Sequence, residues 1–284
     1  MARHGGRRVL VWAGKLSLAL CSTVVAILLL ELVARWVLVD PGLSLWNLYA
    51  CIQPSALLGQ EFKPLCAGNL ANTEFHTNSL GLRGDEVPDD GTVRILAIGD
   101  SCTWGWGVSE SESYPSFLQR MLDYNSGGHR YTVINAGIPG FTSYQGLLYL
   151  RERGALLRPE IVLIGYGFND QTRVGEIRDL IATNRRMMPV LQVDKILGTH
   201  SLLYRWMRNK LIRPRPEGLP PRVSIDQYDA NLAAIVDLVR TMGARPVLLS
   251  FLKADNAYAP PEQAVADRLA VPLIRARDEL PRSS

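Results

Sequence analysis

The sequence is short of histidine and cysteine, and these shortages exclude several classes of site. Four histidines and four cysteines occur among 284 residues, and no Cys-x-x-Cys or His-x-x-x-His spacing is present. The ligand spacings of zinc sites are therefore missing, and we expect neither a metal nor another cofactor. No Gly-x-x-x-x-Gly-Lys-Ser/Thr sequence occurs, which excludes the phosphate-binding loop of many nucleotide-binding proteins.

Positive charge is scarce outside the N-terminus. The formal net charge is +4, and the first fifteen residues contain four cations, Arg3, Arg7, Arg8 and Lys15, without any acidic residue. The rest of the chain is formally neutral and has no run of Lys and Arg, so it lacks the basic surface that binds a phosphate backbone. We therefore expect no nucleic-acid partner.

A long apolar run follows these cations. Residues Val9–Leu38 are almost continuously apolar and Leu16–Leu30 carries no charge, which meets the length of about 20 residues that a membrane-spanning helix needs. No small-x-small cleavage site follows the run, and no small residue precedes Cys21 as in a lipoprotein signal. An uncleaved signal anchor is favoured over a cleaved signal peptide or a buried helix. The cations on its N-terminal side predict a cytoplasmic N-terminus.

Composition along the chain predicts how the chain is divided into segments. A polar and basic insertion is expected at 171–222, and its amphipathic part, Ser201–Ile212, is either a helix packed on the domain or a lid or membrane-surface element. The predicted segments are a cytoplasmic basic tail at 1–9, a transmembrane signal anchor at 10–38, a stalk or irregular segment at 39–91, and a catalytic domain at 92–284 that is periplasmic or extracellular.

Two cysteines lie in the segment predicted to be outside the cytoplasm. An oxidising compartment would allow Cys51 and Cys66 to form a disulfide. Two unpaired thiols are the alternative, because spacing alone determines no connectivity.

Strand and helix patterns alternate beyond the irregular segment. The segments between the strands have apolar residues at helical spacing. The alternation predicts an α/β fold, a doubly wound, flavodoxin-like parallel sheet of about five strands in three α/β/α layers, with its ligand site beyond the carboxyl ends of the strands. Short apolar runs typical of buried parallel strands occur at Val93–Ile98, Tyr131–Ile134, Ile161–Ile164, Arg245–Phe251 and Val271–Ile274.

Glycine-bearing motifs follow the first three predicted strands. They are GDS at 99–101, NAGIPGFTS at 135–143 and GFND at 167–170. The motif serine, Ser101, would lie at the carboxyl edge of the sheet near a helix N-terminus, where free N–H groups surround its hydroxyl. On its own, a Gly-Asp-Ser turn also fits an ordinary helix cap.

Together the motifs resemble the conserved blocks of the SGNH (GDSL-type) serine hydrolases. Residues Ile95–Val108, ILAIGDSCTWGWGV, are similar to the first block, and the other two motifs are similar to the second and third. Thr77–Gly84, TNSLGLRG, resembles a segment found in membrane-anchored members. The resemblance implies that Ser101 attacks an ester carbonyl, and that the oxyanion is held by the backbone N–H groups of Ser101 and Gly140 and by the side-chain amide of Asn169.

The family's catalytic base has no counterpart in the sequence. The resemblance implies an Asp-x-x-His segment after the fifth strand, but the histidines are His4, His76, His129 and His200. A truncated sequence, a non-catalytic relative and a substitute histidine, such as His76 or His200, are the competing explanations. Truncation is favoured, because the chain stops one element short of a complete strand-and-helix unit.

The sequence thus predicts a membrane-anchored, extracytoplasmic serine esterase that hydrolyses acyl or acetyl esters, for example on an envelope glycan. The expected partners are this ester substrate and the membrane. An O-acyltransferase of the same fold is one alternative, and a catalytically silent protein that binds an acylated glycan is the other. The first alternative differs from the esterase only in whether water or a sugar hydroxyl reaches the acyl-serine.

Overall fold

The protein consists of two compact units. The first contains residues 1–43 and 193–214, and the second contains residues 44–192 and 215–284. The computed structural model describes residues 3–38, 48, 50–70, 73–125, 127, 130–211 and 216–276, with side chains described from Trp12 onward.

One long helix dominates the first unit. Helix α1 runs over Arg3–Val37 and so includes most of the predicted tail. Its segment Trp12–Val37 has 26 residues, is long and apolar enough to cross a membrane, and has no buried residue in its most apolar window. At 1.5 Å per residue these residues extend about 39 Å, more than the hydrocarbon core of about 30 Å. The sequence-predicted span therefore corresponds to a continuous helix.

Two antiparallel hairpins begin the second unit. Strand β1 (Ile52–Ser55) pairs with β2 (Gly59–Phe62), and β3 (Ala67–Leu70) pairs with β4 (Thr73–His76). The sequence indicated an irregular segment here, and the described residues show more regular structure than that. Each strand has four residues, which is too short for apolar alternation to be recognised against the surrounding Pro, Gly and Asn.

A disulfide joins the two hairpins to each other, and an aromatic cluster packs them against the helix that contains Trp104. Cys51 and Cys66 are bonded to each other, so the paired alternative is the one that the structure adopts. The ring of Phe62 stacks on Trp104 at 5.8 Å between centroids, and Phe75 meets the same indole edge-on at 5.1 Å. The hairpins therefore share the hydrophobic core with the sheet.

The sheet has five parallel strands. They lie in the order β6-β5-β7-β8-β9, the doubly wound order of flavodoxin-like folds, so the predicted fold class is confirmed. Gly99 pairs with Gly137 on one side and Gly165 on the other, which brings three strand ends level at one edge. The strands are β5 (Val93–Gly99), β6 (Tyr131–Gly137), β7 (Ile161–Gly165), β8 (Arg245–Ser250) and β9 (Leu273–Arg275).

Helices lie on both faces of the sheet. Ala97 and Ile98 are adjacent in β5 and both fully buried, and adjacent strand residues point to opposite faces. A π-helical turn, Leu150–Gly154, and a last helical turn, Ala155–Leu157, extend α4. The helices are α2 (Ser101–Trp104), α3 (Tyr114–Asn125), α4 (Ser143–Tyr149), α5 (Ile177–Arg186), α6 (Met188–His200), α7 (Leu202–Leu211), α8 (Ile225–Thr241) and α9 (Ala259–Leu269), with a 3-10 turn at Glu110–Glu112.

The predicted insertion at 171–222 contains α5, α6 and α7. Helix α7 corresponds to the amphipathic segment predicted at Ser201–Ile212. The residues of α6 from 193 onward and all of α7 belong to the first unit, together with α1.

Loss of the disulfide should destabilise the second unit. The bridge joins residues 15 apart in sequence, and closing a loop of that length is worth about 3 kcal/mol. We expect Cys51→Ser/Cys66→Ser to lower the free energy of unfolding by about this amount in urea titrations of the detergent-solubilised chain. Cys21→Ser, which removes an exposed thiol outside the disulfide, is the control. Four titratable thiols in the unreduced, unfolded protein would contradict the pairing.

A buried carboxyl in α9 makes stability depend on pH. Glu262 is 1% exposed, and burial raises its pKa from 4.5 to about 7, while the nearby Ser250 and Tyr228 hydroxyls and the Arg275 charge lower it by less. Between about pH 4.5 and 7 the folded state therefore holds a proton that the unfolded chain has lost. This contribution to stability is fully present below about pH 4.5 and is lost as the pH rises through about 7.

Replacing the Glu262 carboxyl with an amide should remove its contribution to the pH dependence of stability. We expect Glu262→Gln to be more stable than the wild type at pH 8 by up to about 3 kcal/mol, because no charge is then buried, and to match it near pH 4. Urea unfolding at pH 4, 6 and 8 measures the difference. Glu217→Gln, at an exposed position, controls for loss of a charge. A difference between Glu262→Gln and wild type that is constant with pH would refute this account.

Candidate active site

The motif serine begins a helix at the edge of the sheet. Ser101 is half-buried and is the first residue of α2, which follows β5 after Asp100. Asp100 is the N-cap of this helix, and its Oδ1 accepts the backbone N–H of Cys102 at 2.8 Å. Through this contact Asp100 orders the turn that carries the serine. Burial raises the pKa of Asp100, and hydrogen bonds from Cys102 and Asn169 oppose that shift.

Glycines let α2 lie directly against the strand ends. A Cβ on Gly99 would approach the Thr103 hydroxyl to 2.0 Å, and a Cβ on Gly137 would approach the Trp104 backbone N to 2.3 Å. No larger residue fits without moving the backbone around the serine. The first and second motifs therefore need glycine for close packing at this edge.

The Asn169 side chain joins the three motif loops. Its Nδ2 donates to Oδ2 of Asp100 at 3.1 Å and to the carbonyl of Phe141 at 3.1 Å. Because Asp100 precedes Ser101 and Phe141 follows Gly140, the structure brings all three predicted site residues to one edge of the sheet. Their proximity follows from parallel strands that end level with each other.

Two side chains from distant segments hold the second loop. Gly140 has a φ of +82°, a left-handed conformation that favours glycine. Its carbonyl accepts a hydrogen bond from Nη1 of Arg222 at 2.7 Å, and the carbonyl of Pro139 accepts one from Nε2 of Gln60 at 2.9 Å. With both carbonyls occupied, the peptide plane that contains the Gly140 N–H has a defined orientation.

A buried carboxylate connects the second and third loops. Asp170 is fully buried and accepts hydrogen bonds from the hydroxyl of Ser143 at 2.5 Å, the backbone N–H of Ser143 at 3.0 Å and the N–H of Gly167 at 3.1 Å. Asn231 of α8 donates to the same hydroxyl at 3.0 Å. Burial raises the pKa of Asp170 to about 6 against these stabilising bonds. Asp170 therefore positions its neighbour Asn169 through the backbone.

The turn after the serine is held by Arg83, which the sequence analysis did not single out. Its guanidinium donates to the carbonyls of Trp104, Gly105 at 2.8 Å and Val108 at 3.0 Å. It also lies 4.1 Å from the centre of the Trp104 ring, a cation–π contact. Arg83 belongs to the TNSLGLRG segment, so the signal was present in the sequence, but its role depends on contacts more than twenty residues away.

A cavity of about 480 Å³ opens beside Gly140 and Asn169. Polar groups from Gln60, Asn184 and Arg222 line part of it, and Ile177, Leu180 and Ile181 of α5 line another part. A larger cavity of about 720 Å³ contains none of the three predicted site residues. The smaller cavity is therefore the candidate substrate site, because it borders two of them.

The histidine that the structure describes in the same unit as the serine has other partners. His76 lies between two carboxylates, with Nε2 at 3.4 Å from Asp85 and Nδ1 at 3.2 Å from Glu110. His200 belongs to the first unit, and the side chain of His4 and all of His129 lie outside the described residues. Within the described part of the second unit, no histidine hydrogen-bonds with the Ser101 hydroxyl, and among all described residues no group of His, Cys, Asp and Glu could hold a metal ion.

Residues 97–275, well over half of the chain, match the model of the GDSL-like Lipase/Acylhydrolase family. The chain belongs to this family. The matched region begins inside β5 and ends with β9, so it contains the three motif loops and all of the parallel sheet except the first part of β5.

Two esterases are similar in sequence to this GDSL-like protein. Esterase TesA of Pseudomonas aeruginosa is 37% identical over 79 residues, which are 28% of this chain and 38% of that protein. An arylesterase of Vibrio mimicus is 36% identical over 81 residues, 28% of this chain and 39% of the relative. The similarity thus spans less than two fifths of the length of either relative.

Solved structures with a similar fold include that of TesA and that of AlinE4, described as an SGNH-hydrolase family esterase. The TesA structure is 24% identical, with a TM-score of 0.42 over 63% of this chain and 76% of that one. AlinE4 is 18% identical, with a TM-score of 0.41 over 70% and 87% of the two chains.

Removal of the Arg83 guanidinium should loosen the serine turn. Arg83→Met leaves three carbonyls, those of the buried Trp104 and Gly105 and of Val108, without their charged donor, and we expect a loss of about 3 kcal/mol in the free energy of unfolding. Arg120→Met removes a guanidinium from an exposed position with one carbonyl contact, and its expected effect is below about 0.5 kcal/mol. Urea titrations of both variants give the comparison. Equal, small effects would show that Arg83 does not support the turn.

Proposed function

We propose that this protein is a membrane-anchored serine esterase that cleaves acyl or acetyl esters outside the cytoplasm. The observation that carries the proposal is the bridge made by Asn169 between Asp100 and Phe141, because it gathers the nucleophile and the oxyanion donors at one edge of the sheet, next to a cavity that Gly140 and Asn169 line. Membership of the GDSL-like family supports ester cleavage over other uses of such a site.

The reaction would proceed by acyl transfer through Ser101. Its Oγ attacks the ester carbonyl carbon, and the oxyanion receives the backbone N–H groups of Ser101 and Gly140 and the amide of Asn169. In the resting structure Nδ2 of Asn169 donates to Asp100 and Phe141, so one of these bonds must be exchanged for the oxyanion. Collapse of the tetrahedral intermediate expels the alcohol, and water then cleaves the acyl-serine.

A base must take the proton of Ser101 for this attack to be efficient. Family resemblance assigns that role to an Asp-x-x-His segment that follows β9. Residues after 276 lie outside the described part of the chain. Strand β9 pairs in parallel with β8, so the carboxyl end of β9 lies at the same edge of the sheet as the serine.

Two features support the extracytoplasmic placement. The span Trp12–Val37 follows a cationic N-terminus, the arrangement of a signal anchor with its N-terminus inside. The Cys51–Cys66 disulfide lies on the C-terminal side of the span, and disulfides persist in oxidising compartments.

Polar residues in the cavity support a polar alcohol group on the substrate. The amide and guanidinium groups of Gln60, Asn184 and Arg222 are part of the lining, and a lining with polar groups suits a hydroxyl-rich substrate such as an acylated glycan. The alkyl side chains of Ile177, Leu180 and Ile181 on α5, which also line the cavity, would accommodate the acyl group.

Loss of the nucleophile tests the proposal directly. We expect hydrolysis of p-nitrophenyl acetate by the full chain in nanodiscs to fall to background in Ser101→Ala, and kcat to fall about 10²–10³-fold in Asn169→Ala, which removes one oxyanion donor. Ser111→Ala and Asn125→Ala are matched controls that should retain wild-type rates. Both positions are exposed, the first on the 3-10 turn and the second at the end of helix α3.

Two results would contradict esterase action at this site. Turnover that survives Ser101→Ala would place the chemistry elsewhere. Saturable binding of an acetylated oligosaccharide, with no turnover and no fluorophosphonate labelling of Ser101, would support the catalytically silent binding protein instead.

A further inference from the structure

The junction between α6 and α7 is attached to the membrane-spanning helix by a carboxylate. Glu31 accepts hydrogen bonds from the hydroxyl of Ser201 at 2.7 Å and from the backbone N–H groups of Leu202 at 2.9 Å and Leu203 at 3.1 Å. It therefore caps the N-terminus of α7, where N–H groups lack partners within the helix. A negative charge is also favourable at that end of the helix dipole.

The neighbouring cation serves the opposite helix end. Arg35, one turn after Glu31, pairs with it at 2.9 Å and donates Nη2 to the carbonyl of His200 at 2.9 Å. His200 is the last residue of α6, so a positive charge meets the helix end that carries partial negative charge. The Glu31 carboxylate therefore lies at the positive start of α7, and the Arg35 guanidinium lies at the negative end of α6.

The two helices form an antiparallel hairpin with its polar groups turned inward. Asp194 on α6 accepts hydrogen bonds from the hydroxyl of Tyr204 at 2.6 Å and from Nε of Arg208 at 2.7 Å. Nη1 of Arg205 donates to the carbonyl of Gly198 at 3.3 Å. These contacts hold α7 against α6, and we name residues 193–211 the tip hairpin.

Large apolar side chains cover the outside of the tip hairpin. Such a concentration on a short segment normally marks a surface that contacts lipid or protein. Six of them are between 41% and 73% exposed: Val193, Ile196, Leu197, Trp206, Met207 and Leu211.

The depth of Glu31 in the membrane indicates that lipid covers the exposed apolar side chains of the tip hairpin. Counted from Trp12, a core of about 30 Å takes up about 20 residues and ends at Glu31. Glu31 and Arg35 then lie where the extracytoplasmic face of the membrane meets water. Trp36 lies in the same zone, is 89% exposed and suits the aromatic belt found there. A hairpin whose junction is bonded to Glu31 begins at the same depth.

We propose that the tip hairpin lies in the outer interface of the phospholipid bilayer, with its exposed apolar side chains among the upper acyl chains. The proposal rests on the membrane anchoring of the proposed function and adds a second contact with the bilayer. An interfacial helix pair with apolar residues outside and polar residues inside has the composition of such segments. The ion pair of Glu31 with Arg35 sets the depth of the hairpin.

Depth-dependent fluorescence quenching tests this placement. The full chain with Cys102→Ala is labelled with NBD in phosphatidylcholine nanodiscs that contain lipids with a doxyl group at carbon 5 or carbon 12. Native Cys21 lies nine residues after Trp12, near the middle of the core, and serves as the reference. In chains that also carry Cys21→Ser, the label is placed at Ile196→Cys or Met207→Cys, with Tyr124→Cys on α3 as the exposed control.

The expected pattern separates the hairpin from the anchor. Labels at positions 196 and 207 should be quenched at least twofold more by the shallow doxyl lipid than by the deep one, and the Cys21 label should show the reverse. The label at 124, on an exposed aromatic position of the second unit, should respond to aqueous iodide and not to either lipid. In Glu31→Ala, lipid quenching at 196 and 207 should fall at least twofold, with that at Cys21 unchanged.

Other patterns overturn one proposal or the other. Hairpin labels that respond to iodide, with Cys21 still quenched by the deep lipid, would refute the hairpin placement and leave the anchor intact. Hairpin labels shielded from both lipid and iodide would show that protein covers the surface. A Cys21 label without lipid quenching would refute the membrane anchoring itself.

Discussion

The hydrogen bonds of one amide organise the candidate active site. Asn169 donates to Asp100 and to Phe141, and so connects the loops that follow β5, β6 and β7. Because the three central strands end level at paired glycines, a single side chain is long enough to reach both neighbours.

The remaining support of the site comes from charged side chains that bind backbone carbonyls. Arg83 holds the turn after the serine, and Arg222 holds the carbonyl of Gly140. A guanidinium offers several donors in one plane, so it satisfies carbonyls in irregular loops that no helix or sheet can pair. Asp170 has the opposite role, because its carboxylate accepts hydrogen bonds from a backbone N–H group and a hydroxyl group. The loops are therefore ordered although they have little regular structure.

The first unit uses the same physical device at helix ends. Glu31 and Arg35 bind the free N–H and C=O groups where α7 begins and α6 ends. Charges of opposite sign one turn apart also compensate each other, which lowers the cost of placing them on an apolar helix. The two charges within the apolar helix thus have a structural role.

Local pattern was sufficient for the positions of the strands along the chain, the long apolar helix and the glycine-bearing turns, because apolar runs and such turns are properties of neighbouring residues. The choice of Ser101, Gly140 and Asn169 within those turns came from the resemblance to the SGNH hydrolases. The hairpins between residues 52 and 76, the Cys51–Cys66 pairing and the attachment of α7 to Glu31 came from the tertiary structure alone. Each of these joins segments whose own patterns are short or ambiguous, and it forms through hydrogen bonds, a covalent bond or ring contacts between them. Such contacts depend on the relative position of folded segments, which periodicity along the chain does not encode.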